Sequence, residues 1–222
     1  MCSQEAVCLL PERVNAMSRK RIAVITARGG SKRIPKKNIK EFCGKPILIY
    51  SIEAALDAGI FDEIMVSTDS EEIARIAKEA GAAVPFLRSE ETAGDFATTA
   101  DVLLEVLDAY EKRGQHYDTL CCIYPTAPFV TGEKLRLATM LLEEKGVDSV
   151  VPVVRYSFPP QRAFVIRNGL TVMKYPEHAR SRSQDLEPYF HDCGQFYCMD
   201  TERFMKKKQI FTDCTLSIEM PE

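Results

Sequence analysis

Short β-branched apolar runs alternate with longer segments of helical periodicity along most of the chain. Residues 21–26 form such a run and read as a buried parallel strand. From Pro46 the apolar positions of 47–58 recur at helical spacing and stop at Gly59, with proline near the start and glycine just past the end. The pattern continues as a strand at 63–68, a helix at 71–80 capped by Ser70 and stopped by Gly81, and a strand at 83–87. A longer helix starts at Thr98 or Thr99 and runs to about residue 113, with Leu103, Leu104 and Leu107 on one face. The wholly apolar run 120–124 predicts a central strand, and a helix at 132–145 and a strand at 148–154 follow.

Such alternation predicts an α/β protein with a mostly parallel sheet and helices on both faces. Ligands of these sheets bind beyond the carboxyl ends of the strands. The cleft is therefore expected to be lined by 28–38, 67–70, 88–99, 124–129 and 155–162. After Val154 the pattern changes. Asn168-Gly169 between apolar residues is a two-residue hairpin signal, and 175–189 is polar, irregular and cationic. A short strand at 196–199 and a short helix at 201–208 come next. The stretch 155–200 reads as an antiparallel excursion that packs over the cleft or reaches a partner subunit.

With 222 residues, the chain suits one domain over 21–222 with a substantial core. The segment 1–20 differs: its apolar part at 6–10 is too short for a secretory leader and is interrupted by Pro11. It reads as a disordered extension, or as a start misplaced ahead of Met17. A net charge of −3 argues against nucleic acid as the partner, and no apolar run approaches a membrane span. Eight cysteines show no C-x-x-C spacing, which favours reduced thiols in a cytoplasmic protein over a zinc site or a disulfide framework.

Positive charge is concentrated locally. Arg28-Gly29-Gly30-Ser31 ends the first apolar run, and Lys32, Arg33, Lys36 and Lys37 follow it. Paired glycines admit close approach and positive φ, and N–H groups among fixed cations make an anion site. Taken alone, such a turn is as readily a solvated loop. The P-loop and dinucleotide fingerprints are both absent, which demotes those two readings.

The full motif at 27–38, ARGGSKRIPKKN, resembles the nucleotide-binding signature of the CMP-sialic acid synthetase family, cytidylyltransferases that activate acidic sugars. The resemblance covers 21–222 and implies a three-layer Rossmann-like nucleotidyltransferase fold, CTP as substrate, Mg²⁺ as cofactor and a homodimer. It implies that Arg28, Lys37 and Asn38 hold the triphosphate, with Gly29 and Gly30 giving backbone access and Lys32 in a lesser role. Arg28 and Lys37 would neutralise the leaving pyrophosphate. Arg88 with Asp95, Ala97, Thr98 and Thr99 resembles the family's second signature, in which Arg88, Ala97 and Thr99 would read the cytosine. The bland alternative is that Thr98 and Thr99 cap the next helix while Asp95 makes a turn.

Tyr124-Pro125-Thr126-Ala127-Pro128 resembles the family's QPTSP turn, and Tyr124 in place of glutamine points away from sialic acid itself. RSQDL at 182–186 and HDCGQFY at 191–197 are similar to the branch that activates pseudaminic acid, also a nine-carbon acidic sugar. That likeness implies that Arg182 meets the sugar carboxylate, with Gln184, His191, Asp192 and Gln195 beside it. The alternative is a loop–strand junction in which His191 and Asp192 satisfy each other. The resemblance also places the metal carboxylates in a C-terminal Asp motif, before which this sequence stops at Glu222. The expectation is then a chain that binds CTP better than it turns over, with Asp69 as a substitute ligand or a loop cap. Related enzymes for sialic, legionaminic or Kdo-type acids, a nucleotidyltransferase for a neutral sugar phosphate, and a silent CTP-binding module remain as alternatives.

Overall fold

The computed structural model describes residues 19–31 and 34–221; the extension expected at 1–20 falls almost wholly outside them, as does Lys32. In chain order the elements are β1 (Arg21–Thr26), the short strands β2 (Glu41–Phe42) and β3 (Lys45–Pro46), α1 (Ile47–Ala58), β4 (Glu63–Ser67) and α2 (Glu71–Glu79). Next come α3 (Glu90–Ala93), α4 (Thr99–Glu111), β5 (Thr119–Ile123), α5 (Gly132–Lys145) and β6 (Ser149–Arg155). The chain closes with β7 (Phe164–Arg167), β8 (Leu170–Met173), β9 (Phe190–Asp192), β10 (Phe196–Asp200), α6 (Thr201–Lys207) and β11 (Thr215–Glu219). These fall into two units, one reaching to Val151 and resuming over Gly194–Leu216, the other comprising Pro152–Cys193 and the residues from Ser217.

In the first unit β1 pairs in parallel with β4 on one side and β5 on the other, so Val24 stands opposite both Met65 and Cys122. β10 lies antiparallel to β5, with Cys198 opposite Cys121, and Val150 of β6 pairs with the far edge of β10. β4, β1, β5 and β6 therefore run one way, with β10 reversed among them. Ile22, Ala23, Val24 and Ile25 are all fully buried, as are Leu120 to Ile123. Continuous apolar runs of this kind are what a strand buried on both faces requires.

Local signals set the helices. Ser70 Oγ accepts from Ile73 N, and Thr98 with Asp101 forms a reciprocal capping box, two donors satisfied at the start of α4. Gly132 opens α5 where that helix meets α1. A Cβ there would lie 2.2 Å from Asp57 Oδ2 and 2.7 Å from Ala58 N, so only glycine fits.

The strand expected at 83–87 does not form. Ala83 alone bridges to β4, its N–H bonding to Ile64 O and its carbonyl receiving Val66 N. Pro85 then lacks the donor that a continuing ladder needs. The hairpin β2–β3, turning on Cys43 (φ 47°) and Gly44 (φ 88°), and the four-residue α3 are too short to leave a periodicity and were not foreseen.

In the second unit the end of β6 pairs antiparallel with β9, Val154 opposite His191, and Met220 N donates to Val153 O at 2.7 Å. The hairpin β7–β8 turns at Asn168 (φ 50°) and Gly169 (φ 78°), as the Asn-Gly signal required. Its Phe164, Ile166 and Leu170 are exposed. The polar stretch that follows holds only single 3₁₀ turns, at Pro176–His178 and Ser183–Asp185.

Candidate active site

A cavity of about 840 Å³ opens in the first unit where β1 and β5 end, within the size range of small-molecule sites. Three of the five segments expected at a cleft line it. Arg28, Lys37 and Asn38 come from the first, Arg88, Ala97 and Thr99 from the loop before α4, and Tyr124 from the turn after β5. The segment 67–70 stands behind it as support, and 155–162 belongs to the second unit.

The support begins at the glycine turn. Gly29 N donates to Asp69 Oδ1 at 2.7 Å, and a Cβ on Gly29 would lie 3.1 Å from Ser70 Cβ. Neither Gly29 nor Gly30 adopts the positive φ that the paired glycines allow; close packing is what Gly29 serves, and Gly30 meets nothing. Because the Gly29 N–H already bonds to Asp69, anion recognition here falls chiefly to side-chain cations. Asp69, expected as a cap or metal substitute, is a cap. Lys36, at φ 52°, leads into the 3₁₀ turn that carries Lys37 and Asn38. Asn38 is 4% exposed, and its Nδ2 donates to the Arg28 carbonyl at 2.8 Å.

Two arginines flank the cavity. Arg28 Nη1 donates to Gly94 O and to Asp95 Oδ1, each at 3.1 Å, so the loop before α4 steers the guanidinium. Arg88 is 9% exposed; its Nε donates to Ser67 Oγ at 3.1 Å and its Nη2 to Ser67 O at 2.8 Å. Burial lowers its pKa from 12.5, opposed by the charges of Asp69 and Glu105. Glu105 receives Ser89 N at 2.9 Å, Ser89 Oγ at 2.8 Å and the Thr92 hydroxyl. Burial pushes its carboxyl up, but the Thr92 and Ser89 bonds and Arg88 outweigh that and hold it below 4.5.

Thr98 caps α4, as the bland alternative had it, while Thr99 Oγ1 lies 3.0 Å from the Tyr124 hydroxyl. Tyr124 is fixed further by its N–H to Gln195 O at 2.9 Å and by its ring edge-on to Tyr197. Gln195 Oε1 is buried and has no partner among the described residues.

The remaining sugar-facing candidates lie in the second unit. Arg182 Nε pairs with Asp185 Oδ2 at 2.7 Å on the surface. His191 Nδ1 lies 3.0 Å from Asp192 O, and its ring meets Tyr156 edge-on at 4.8 Å. Gln184 lines a separate cavity of about 440 Å³ together with Arg155, Tyr156 and Tyr189. Sequence reading gave no role to Asp95 beyond a turn or to Glu105, because the partners of each lie on other segments.

The Cytidylyltransferase family model matches residues 22–216. The chain belongs to the cytidylyltransferase family. It is 39% identical over 193 residues to a pseudaminic acid cytidylyltransferase of Campylobacter jejuni, covering 86% of this chain and 83% of that relative. It is 34% identical over 200 residues to a CMP-N,N'-diacetyllegionaminic acid synthase of Legionella pneumophila, at 87% and 84% coverage. Among solved structures, CMP:2-keto-3-deoxy-manno-octonic acid synthetase complexed with CTP superposes with a TM-score of 0.67 at 16% identity, over 90% of each chain. That likeness establishes a nucleotidyltransferase fold, in agreement with the mostly parallel α/β sheet expected from the sequence.

Proposed function

We propose that this chain transfers CMP from CTP to a nine-carbon acidic sugar, pseudaminic acid foremost, with release of pyrophosphate. The observation that carries the reading is the gathering of Arg28, Lys37, Asn38, Arg88 and Thr99 around one cavity in a cytidylyltransferase. The anomeric hydroxyl of the sugar attacks the α-phosphorus in line; that O–P bond forms, the bond from the α-phosphorus to the bridging oxygen breaks, and pyrophosphate leaves with the electron pair. Charge builds on the leaving group, so positioning and neutralisation dominate the chemistry. Arg28 and Lys37 meet the polyphosphate. Arg88, pinned by both Ser67 bonds, and Thr99 and Ala97 at the start of α4 receive the cytosine edge. Tyr124 and Gln195 face the sugar from the first unit, and Arg182, Gln184, His191 and Asp192 act on it from the second.

Among the described residues, no three His, Cys, Asp or Glu side chains gather to hold a metal ion. Asp69 is engaged by Gly29 and Asp95 by Arg28. These residues do not form a cage for Mg²⁺, and no step is routed through it here.

The reading includes a cytoplasmic homodimer. Support for the dimer is the exposed apolar hairpin, with Phe164, Ile166 and Leu170 outward. No described helix is long and apolar enough to cross a membrane. The test is a substrate panel: purified chain, CTP and pseudaminic, legionaminic, sialic or Kdo acid, with pyrophosphate and CMP-sugar measured. Fastest turnover with pseudaminic acid is expected; CTP consumption with none of these acids overturns the assignment.

A further inference from the structure

Four buried side-chain polar atoms lack a partner among the described residues: Asn38 Oδ1, Gln161 Oε1, Gln195 Oε1 and Thr201 Oγ1. Of these four residues, Asn38 is the one that lines the large cavity. The orientation of its amide is fixed by the Nδ2 bond to the Arg28 carbonyl at 2.8 Å. Turned over, Oδ1 would face that carbonyl and two acceptors would meet. Oδ1 is thus a buried acceptor, in a residue only 4% exposed, on the wall of a ligand site. Such an atom is unfavourable without a donor.

A nucleotide's phosphates cannot supply that donor, because at neutral pH their oxygens only accept. The donors of a cytidine triphosphate all sit on its nucleoside half: the exocyclic amine of the base and the two ribose hydroxyls. We propose that Asn38 Oδ1 accepts a hydrogen bond from the nucleoside half of CTP, which makes Asn38 a selector of the nucleotide and not a triphosphate anchor. The inference rests on CTP being the ligand of the cavity. It also separates Asn38 from its neighbour Lys37, whose ammonium is suited to phosphate. The pairing has a sharp consequence: an analogue lacking the donor leaves Oδ1 buried and unpaired, a heavier loss than that of an exposed contact.

Calorimetry on the full chain tests it with CTP, UTP, 2′-deoxy-CTP, 3′-deoxy-CTP and inorganic triphosphate. At least one of the three analogues should bind the wild type about tenfold to a hundredfold more weakly than CTP. In Asn38→Ala that ratio should fall to within about threefold, with the affinity for inorganic triphosphate held, while Asn38→Asp, which keeps an acceptor there, should retain it. Asn38→Ser, whose hydroxyl stops short of the position, serves as a second truncation if the alanine variant does not fold. Ratios taken within one protein cancel any general loss of affinity. The inference is overturned if all three analogues match CTP in the wild type. It is overturned equally if the ratios survive truncation, or if truncation weakens inorganic triphosphate as much as CTP. A wild-type chain that binds CTP but shows any of these leaves the cytidylyltransferase reading standing; one that does not bind CTP sinks both.

Discussion

The polar residues of the two units are held in different ways. Around the first unit's cavity the partners are distant in sequence: Arg28 with Asp95, Gly29 with Asp69, Arg88 with Ser67, separated by 67, 40 and 21 residues. In the second unit the expected sugar contacts are made to near neighbours, Arg182 to Asp185 three residues on and His191 to Asp192 next door. Long-range partners form only when the whole unit is folded, so the nucleotide cavity is ordered together with the core. Short-range surface pairs form and break alone, and each contributes little. The difference teaches that nucleotide recognition here is built in advance, whereas sugar recognition must be assembled from exposed side chains that exchange their local partners for the substrate.

The sharpest way to break this contrast is to remove both polyphosphate cations. Arg28→Ala combined with Lys37→Ala should weaken CTP by about a hundredfold or more, since charge-assisted bonds are worth about 1.5–3 kcal/mol each. Calorimetry should show this with the melting temperature nearly unchanged; unaltered affinity in a folded protein would remove the basis of the assignment. Arg182→Ala should act on the other side only, raising KM for the acidic sugar about tenfold while CTP affinity holds within about twofold. A matched loss in both ligands would show that the two regions are not separable.

Glu105 tests how far the cavity's support is part of the fold. Its carboxyl sits below 4.5 in the folded chain, so its stabilisation is present above that value and disappears as pH falls through the lower folded-state pKa. Glu105→Gln should lower the melting temperature at pH 7 by about 2–4 °C. The two melting curves should then converge on acidification, and parallel behaviour down to strongly acid pH would deny Glu105 this role. The smallest effect is expected for Tyr124→Phe, which removes the bond to Thr99: about a twofold to fivefold change in the KM of the sugar, with no change in fold.

Elements with strong local signatures were legible in the chain. The Asn168-Gly169 turn, the Ser70 cap and the fully apolar β5 all emerged where their residue types demanded them. The strand expected at 83–87 was lost to Pro85, a local rule that outranks an apolar pattern. Arg28, Lys37, Arg88 and Thr99 were singled out before any contact was known, because motif spacing and resemblance carried them. Asp69, Asp95 and Glu105 were read only as caps or turns or passed over, since each acts through a partner more than ten residues away.

By itself the sequence determined the alternation of strands and helices, the basic turn after the first strand and the family motifs upon it. These depend on periodicity, glycine and charge within a few residues of one another, and such short-range preferences are written directly in the order of side chains. Tertiary structure alone decided that Gly29's amide would be occupied by Asp69, that Arg88 would be locked onto Ser67, and that one face of Asn38 would be left to accept. Those outcomes depend on which strand lies beside which, and on what burial then leaves unpaired.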